Sequence, residues 1–273
     1  MPIRKDALPP VVITRPIAQA RAMQKKIDAI GRQSVVLPLL EIGALEDTTA
    51  LDAALARLPD YALVAFVSPN AIDAAFARCQ YLTQPWPDSV ALAVMGEGSR
   101  QALATHGITA STAQIYSPAD SERTDSQTLL AALEPARFAG KEVLILRGDS
   151  GRELLADALR SAGALVTQVT AYRRYAPPID ASGFLQLKKL LHQRCDWVIT
   201  SSEALRVLMM WVEQLERLPS EAASIHVAVL QQQALFVPHV RIAETAESMG
   251  FKKILRTASG DAGLLAALQF RHE

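Results

Sequence analysis

Cysteine, glycine and aromatic residues are scarce in this sequence, and none of its apolar runs is long. Its two cysteines, Cys79 and Cys195, lack the CxxC spacing and the nearby histidines that zinc sites and redox motifs use. We therefore expect neither a disulfide nor a metal, and expect both thiols to be buried and inert. No apolar segment reaches the length of a membrane span, and the first ten residues lack the apolar core of a signal peptide, so we expect a cytoplasmic protein.

An excess of charge of one sign is also missing, since 28 basic residues balance 28 acidic ones. No overall field therefore attracts nucleic acid or an anionic membrane, and we expect neither as a partner. The sequence contains no P-loop, GxSxG elbow, HExxH pair or spaced set of carboxylate ligands, so no cofactor is expected. None of the five histidines directly follows a predicted strand, and all five are expected to be structural or on the surface. They are His106, His192, His226, His239 and His272.

The most informative stretch is Val143–Tyr175, which has the pattern of one βαβ step. A short apolar run ending at Leu146 predicts a buried strand, and Arg147 and Gly148 begin a polar loop. Apolar residues then recur at helical spacing up to Gly163, which stands where a helix C-cap belongs. The next extended run predicts a strand that ends near Tyr172.

This pattern is duplicated along the chain. Arg15 and Gly31 reproduce the spacing of Arg147 and Gly163, 132 residues earlier. Two further landmarks recur at nearly the same offset: Leu63–Ala71 resembles Trp197–Ala204 at 133 residues, and Leu129–Leu133 matches Leu264–Leu268 at 135. Three landmarks at one offset indicate an ancient duplication of an α/β unit.

Between the landmarks, predicted strands alternate with predicted helices, which favours parallel sheets covered on both faces. The pattern predicts strands at Val35–Leu40, Ala91–Met95 and Ile225–Leu230, and a polar surface loop at Ser117–Ser126. A chain of 273 residues is long enough for two such domains.

Ligands of parallel sheets bind beyond the carboxyl ends of the strands, so the residues that follow the predicted strands are the candidate binding residues. Hydroxyl-capped helix N-termini there can bind carboxylates or phosphates. Two structural roles stay open beside binding: the serines can serve only as N-caps, and the arginines can bridge the lobes or be solvated. Gly96-Glu97-Gly98 is only a fragment of a dinucleotide fingerprint. The candidates are Thr14, Arg15, Ser68, Asn70, Gly96, Arg147, Gly148, Thr200, Ser201 and Ser202.

Tyr172 is the candidate for catalysis, because it is a polar aromatic residue at a strand end with Arg173 and Arg174 beside it. Nearby arginines favour the phenol's anion and would help the phenol to act as an acid. The alternative is an amphipathic residue at the rim of the fold.

Together these segments resemble the uroporphyrinogen-III synthase family over nearly the whole chain. The order and spacing of the segments carry the resemblance, and no single motif is diagnostic. In the C-terminal part, the stretch Leu230–Gln233 stands where many relatives have a second glycine turn. The matching segments are Thr14–Pro16, Val36–Glu41, Phe66–Ala71, Val94–Gly96, Leu146–Arg152, Val169–Arg173 and Ile199–Ser202.

The resemblance implies two similar, duplicated parallel-sheet α/β lobes of the flavodoxin or Rossmann type, joined by a two-strand connector, with a ligand cleft between the lobes. Residues 1–35 and 176–273 would form a discontinuous lobe, residues 41–165 a continuous one, and residues 36–40 and 166–175 the connecting strands.

The function that the resemblance implies is a hydro-lyase reaction of tetrapyrrole (haem, sirohaem or cobalamin) biosynthesis. Hydroxymethylbilane, a polycarboxylate tetrapyrrole, would be closed to uroporphyrinogen III with loss of water and inversion of ring D. Tyr172 would be the general acid, the candidate binding residues would hold the substrate, and no cofactor would be needed. We expect a monomer that can receive its substrate from hydroxymethylbilane synthase. The alternative is a non-catalytic bilobed protein that binds a small anion; a nucleotide-dependent enzyme would need the missing phosphate-loop glycines.

Overall fold

The structure is a computed structural model that describes residues 8–118, 126–149, 153–218 and 225–270. Most of the predicted loop Ser117–Ser126 lies outside the described residues, as does the Ser150-Gly151-Arg152 part of the loop after Arg147.

Strands and helices alternate along most of the described chain. Two short 3-10 helices, Leu58–Asp60 and Pro135–Phe138, stand between them. The strands are β1 (Val11–Ile13), β2 (Ser34–Val36), β3 (Glu41–Gly43), β4 (Leu63–Phe66), β5 (Ala91–Val94), β6 (Ile115–Tyr116), β7 (Glu142–Gly148), β8 (Leu165–Tyr175), β9 (Asp196–Val198), β10 (Ala234–Val237) and β11 (Lys253–Arg256). The α-helices are α1 (Ile17–Ala29), α2 (Thr49–Ala56), α3 (Pro69–Tyr81), α4 (Glu97–Thr105), α5 (Ser126–Leu133), α6 (Leu154–Ser161), α7 (Ala181–Leu191), α8 (Ser202–Glu216), α9 (His226–Gln231), α10 (Val240–Ser248) and α11 (Gly260–Gln269).

The chain divides into two compact units. Unit 1 comprises Met1–Glu41 and Tyr175–Glu273, and unit 2 comprises Ile42–Arg174. Unit 1 contains a parallel five-stranded sheet in the order β11-β10-β9-β1-β2. The second sheet has six strands in the order β3-β8-β7-β4-β5-β6, parallel from β8 to β6. The predicted α/β class with parallel sheets is confirmed.

Apart from the additional edge strand β3, the two sheets share one strand order. In the second sheet β4 pairs with β5 on one side and β7 on the other, and in the first sheet β9 pairs in the same way with β10 and β1. The strands that carry the duplicated landmarks, β4 with β9 and β7 with β1, therefore take equivalent positions. Each sheet combines the start of one sequence repeat with the end of the other.

Both faces of each sheet are covered, because alternate residues of each strand point to opposite faces. In unit 1, Val12 and Trp197 pack against α7, α8 and α10, while Ile13 and Val198 pack against α1 and α11. The same alternation divides the core of unit 2 into two clusters. Strands buried on both faces account for the continuous apolar runs of the sequence.

The prediction of a strand at Ile225–Leu230 is wrong, because this segment forms helix α9. Its β-branched residues favour a strand, but His226 and Leu230, four residues apart, are both buried, as in a helix that packs along one face. The next strand of the sheet is instead β10, whose four residues are all buried. Tertiary packing here overrides local strand propensity.

Further differences concern element ends. The predicted strand Val35–Leu40 is shorter in the structure: β2 ends at Val36, and Leu37, Leu39 and Leu40 are buried in the core of unit 1. The backbone N–H groups of Leu37 and Leu39 still donate to the carbonyl oxygens of Ile13 at 2.9 Å and Thr14 at 3.1 Å. Glu41 then begins β3, an element that the pattern did not predict.

Unit 1 is held together by a buried ion pair. The guanidinium of Arg32 donates to Asp196 Oδ2 at 2.7 Å, to the carbonyl oxygen of Leu268 at 2.7 Å and to that of Pro9 at 2.6 Å. The Arg32 and Asp196 side chains are 3% and 0% exposed, so each charge depends on the other for compensation. Burial also lowers the pKa of Arg32 from its usual value. This cluster joins the N-terminal part of the chain to its last helix.

In the described residues, no helix combines the length and apolarity needed to cross a membrane. The same part of the chain contains no group of three or more His, Cys, Asp or Glu side chains arranged to hold a metal ion.

Candidate functional site

The carboxyl edge of the second sheet brings together several of the candidate residues. At β4 and β7, neighbouring strands are followed by connections that lead in opposite directions across the sheet, and such switch points are where open parallel sheets bind ligands. Ser68 follows β4, while Arg147 and Gly148 end β7. Tyr172, on the adjacent β8, lies beside them.

A β-bulge sets the position of Tyr172. Arg147 pairs with Thr170, but the next residue, Gly148, pairs with Tyr172, so that one residue of β8 is left without a partner in the register. A bulge redirects the side chains that follow it and is common next to functional sites. The backbone N–H of Asp149 then donates to the carbonyl oxygen of Tyr172 at 3.1 Å, which fixes the two strands beyond the bulge.

The phenol of Tyr172 forms a hydrogen bond with the hydroxyl of Ser68, with 3.0 Å between the oxygens. Ser68 is also the N-cap of α3, and its Oγ accepts from the backbone N–H of Ala71 at 3.2 Å. The predicted capping role of Ser68 is therefore confirmed. The same hydroxyl joins the phenol to the N-terminus of a 13-residue helix.

Gly148 leaves room for the tyrosine ring. A Cβ at this position would lie 2.9 Å from Cζ of Tyr172 and 3.0 Å from its hydroxyl oxygen. Both distances are below the separation of atoms in van der Waals contact. Glycine is therefore required by the close approach of the ring.

Arg147 is buried and forms an ion pair within its own unit. Its Nη1 donates to Glu153 Oε1 at 2.5 Å, and the amide of Gln168 donates to the same oxygen at 3.2 Å. The hydrogen bond from Arg147 and then that from Gln168 hold the pKa of Glu153 below its usual value. A substrate carboxylate that binds Arg147 would have to replace or share this partner.

The other candidates of unit 2 lie at the same edge. Asn70 is in the first turn of α3, and Gly96 is the N-cap of α4, where its carbonyl oxygen accepts from Ser99 and Arg100. Arg100 in turn donates to the hydroxyl of Ser117, just after β6. Arg173, which follows Tyr172 in the sequence, donates to Glu46 at 2.6 Å.

The corresponding edge of unit 1 contains Thr14 and Arg15. The Thr14 hydroxyl is buried and donates to the carbonyl oxygen of Val198 at 2.7 Å, so its proton is used within the sheet. Arg15 Nη1 donates to Asp261 Oδ1 at 2.6 Å, and Lys26 donates to the other oxygen of Asp261 at 2.6 Å. Burial alone would raise the pKa of Asp261, but the bonds from these two cations outweigh it and lower the pKa.

Ser201 caps α8 as Ser68 caps α3, accepting from the N–H groups of Glu203 at 3.1 Å and Ala204 at 3.4 Å. Ser202 is in the first turn of α8, accepts from the hydroxyl of Thr245 at 3.0 Å and donates to the carbonyl oxygen of Arg241 at 3.4 Å. Thr200 lies between β9 and this cap, partly exposed. The structure therefore places all three at the edge where they were expected.

The expectation that no histidine directly follows a strand is wrong for His239. Because the strand of this region is β10, His239 lies two residues beyond its end, at the N-cap of α10. Loss of contact with water and the positive charge of Arg241 both lower the pKa of His239. The misplaced strand in the predicted pattern is the reason this residue was missed.

Two cavities lie at the opposite, amino edges of the sheets. One of about 530 Å³ in unit 1 is lined by Cys195, Ala234 and Lys253, and one of about 460 Å³ in unit 2 by Cys79 and Trp86, among others. Burial raises the pKa of each thiol to about 11, so both are poor nucleophiles at neutral pH.

Within unit 2 the arrangement supports acid catalysis. Tyr172 has a hydroxyl partner, a helix N-terminus close to that partner, and a buried arginine on the neighbouring strand. Sequence patterns predicted these residues separately but missed Glu153 and Asp261, the carboxylates that pair with the two arginines. Asp261 is 246 residues from Arg15, and no local pattern indicates such a partner.

Comparison with known proteins finds one family over nearly the whole chain. The family model described as uroporphyrinogen-III synthase HemD matches residues 21–262. The uroporphyrinogen-III synthase of Salmonella typhimurium is 34% identical over 263 residues, covering 95% of this chain and 99% of the relative. That of Escherichia coli is 31% identical over 264 residues, with the same coverage.

Solved structures agree at the level of the fold. Uroporphyrinogen-III synthetase from Helicobacter pylori aligns with a TM-score of 0.58 at 16% identity, covering 97% of this chain and all of the other. A mutant uroporphyrinogen III synthase from Thermus thermophilus aligns with a TM-score of 0.57 at 13% identity, covering 95% and 97% of the two chains. From its sequence match over residues 21–262, the chain belongs to the uroporphyrinogen-III synthase family.

Proposed function

We propose that this protein is the hydro-lyase that closes hydroxymethylbilane to uroporphyrinogen III in tetrapyrrole biosynthesis, with loss of water and inversion of ring D. Membership of the family supports the reaction. The observation that carries the mechanism is the hydrogen-bonded pair of Tyr172 and Ser68 at the carboxyl edge of the second sheet.

Tyr172 is proposed as the source of the proton that the departing hydroxyl requires. When that oxygen is protonated, the C–O bond breaks, water leaves and the terminal ring that carried the hydroxymethyl group becomes an azafulvene. Ring D, at the other end of the open chain, attacks the exocyclic carbon of the azafulvene through its own substituted carbon to give a spiro intermediate, which fragments and recloses with ring D inverted. The proton released when the last pyrrole regains its aromaticity returns to the phenolate, so the cycle consumes no acid.

Apart from supplying the proton, the protein has to position the substrate. The substrate carries many carboxylates, and closure without inversion must be prevented, so the protein has to hold one curled geometry. Helix N-termini capped by Ser68 and Ser201 offer backbone N–H groups to carboxylates. We propose that Asn70, Gly96 and Gly148 complete the binding surface of unit 2, and Thr14, Thr200 and Ser202 that of unit 1. Arg15 and Arg147 would bind carboxylates by exchanging partners with Asp261 and Glu153.

We further propose a monomer in the cytoplasm that can take its substrate directly from hydroxymethylbilane synthase. Direct transfer would limit the uncatalysed closure of an open-chain substrate. We retain the proposed lobes, residues 1–35 with 176–273 and residues 41–165, with connecting strands at 36–40 and 166–175. The division of the chain into two units supports this arrangement.

The test is a coupled assay in which porphobilinogen and a hydroxymethylbilane-forming enzyme are incubated with and without this protein. The porphyrins obtained after oxidation are then separated by isomer. We expect the type III isomer only when the protein is present. If the folded protein leaves only type I, the proposal is wrong, and the remaining candidate is a protein that binds a small anion without turnover.

A further inference from the structure

The proposed acid is nearly inaccessible. Tyr172 is 5% exposed and packs in the core cluster of unit 2 with Val169 and Ala171, whereas Ser68 is partly exposed at the start of α3. A substrate that approaches the carboxyl edge therefore meets the serine hydroxyl more readily than the phenol. Among the described residues, Ser68 is the hydrogen-bond partner of the phenol.

The hydrogen-bonding capacity of Ser68 suits a proton relay. A serine hydroxyl has two acceptor lone pairs and one proton to donate. The N–H of Ala71 uses one lone pair, and the phenol of Tyr172 can donate to the other. The serine proton is then free to point away from both partners.

We propose that Ser68 relays the acid proton of Tyr172 to the substrate, an inference that rests on the function proposed above. In one step the Ser68 O–H proton passes to the substrate's hydroxyl oxygen, while the Tyr172 proton passes to Ser68 Oγ. The substrate's C–O bond breaks with its electron pair on the departing water. Ser68 ends the step with one proton, and Tyr172 ends it as the phenolate.

The position of the pair at a helix N-terminus favours this step. As the proton leaves, negative charge builds up across the phenol and serine oxygens, and the positive end of α3 lies next to them. The N–H of Ala71 points at the serine oxygen and needs no reorganisation during the reaction. Ser68 thereby becomes a catalytic residue, in addition to its role as a cap.

The decisive experiment compares single-turnover rates of type III formation by the wild type, Ser68→Ala, Ser68→Thr, Tyr172→Phe and the double variant Ser68→Ala/Tyr172→Phe. Loss of one acid group lowers such rates by about 100-fold or more. We expect Ser68→Ala and Tyr172→Phe to lower the rate by similar factors, and the double variant to be no slower than either single variant. Ser68→Thr should keep most of the rate, because it retains the hydroxyl.

Two controls separate the relay from loss of stability. Asp180→Ala removes the N-cap of α7, where Asp180 accepts from the N–H of Gly183 at 2.8 Å. It should lower the melting temperature about as much as Ser68→Ala does but leave the rate unchanged. In mixtures of H₂O and D₂O, a plot of the wild-type rate against deuterium fraction should be curved rather than linear, because two protons move together.

Several results would overturn the relay. A wild-type rate in Ser68→Ala beside a slow Tyr172→Phe would mean that the phenol donates directly. If the rate loss of the double variant equals the product of the two single losses, Ser68 acts independently of Tyr172, in binding. If the rate falls linearly with deuterium fraction, only one proton moves in the step. If the wild type makes no type III isomer, the proposed function fails, and the relay that rests on it fails with it.

Discussion

Replacing Gly148 by alanine should displace the phenol of Tyr172 while leaving the phenol itself intact. The added methyl group would lie 2.9 Å from Cζ of the ring and 3.0 Å from its oxygen. Because carbon atoms pack best about 3.5–4.0 Å apart, the ring has to move by roughly 0.6–1 Å. The bulge at Arg147 and Gly148 and the bond from Asp149 to the Tyr172 carbonyl hold the strands, so the side chain takes most of the movement.

Two magnitudes follow from this displacement. Overpacking of this size costs about 1–3 kcal/mol of folding free energy. A misplacement of about 1 Å can lower a catalysed rate by about 100-fold, so kcat for the type III isomer should fall between about 10- and 100-fold. The loss should appear in kcat more than in KM, because the substitution strains the bond between Tyr172 and Ser68 and leaves the arginines and the capped helix N-termini that are proposed to bind carboxylates unchanged.

The assay is the coupled isomer assay, with melting temperature measured by circular dichroism on the same samples. Gly98→Ala is the matched control, because a Cβ there meets only Pro69 Cγ at 3.8 Å and Gly98 lies within α4. Alanine at this position should leave the fold at least as stable as the wild type, because it adopts helical backbone angles at a smaller entropic cost than glycine. If Gly148→Ala retains both wild-type kcat and wild-type melting temperature, the close approach of the ring has no functional meaning and the role assigned to this edge is refuted.

Three further predictions concern other parts of the molecule. Arg32→Met removes the guanidinium that compensates the buried Asp196 carboxylate and should cost about 3–5 kcal/mol, measured by urea unfolding; a loss below about 1 kcal/mol would contradict the burial of the pair. With a thiol pKa raised to about 11, Cys79 and Cys195 carry only about 0.1% thiolate at pH 8, so iodoacetamide should label neither in the folded protein and both in urea; rapid native labelling would refute their burial. The folded-state pKa of Asp261 lies below its unfolded value, so the stabilisation from its ion pairs is present above about pH 4 and is lost as the pH falls further. Asp261→Asn should therefore reduce the fall in melting temperature between about pH 4 and lower pH, and an unchanged dependence of melting temperature on pH would count against the ion pairs.

Local chemistry made much of the fold predictable. Gly31 and Gly163 end their helices with φ of +75° and +90°, a conformation that glycine adopts without strain, and both ends were predicted. The caps at Ser68 and Ser201 follow from the same kind of local pattern. The buried runs of β4 and β9 were recognisable because strands covered on both faces are apolar throughout.

Long-range pairing was not predictable in the same way. Ser68 and Tyr172 are 104 residues apart, and their bond depends on a bulge in β8 that no residue pattern marked. Propensity also misled at Ile225–Leu230, where packing against α8 selects a helix. The arginines were found because they follow strands, but the carboxylate partner of Arg15 is 246 residues away and comes from the three-dimensional arrangement.

The interleaving of the two repeats has a consequence for synthesis on the ribosome. Unit 2 is one continuous stretch, Ile42–Arg174, and can fold as soon as it emerges. Strand β1, by contrast, lies between β9 and the edge strand β2, so the residues between Ile13 and Asp196 must be made before it finds its partner β9. At about 5–20 residues per second this takes roughly 10–40 s. During that interval the apolar residues of β1 and α1 have no native sheet to cover them, and nascent chains should depend on chaperones most while residues 175–198 are still inside the ribosome.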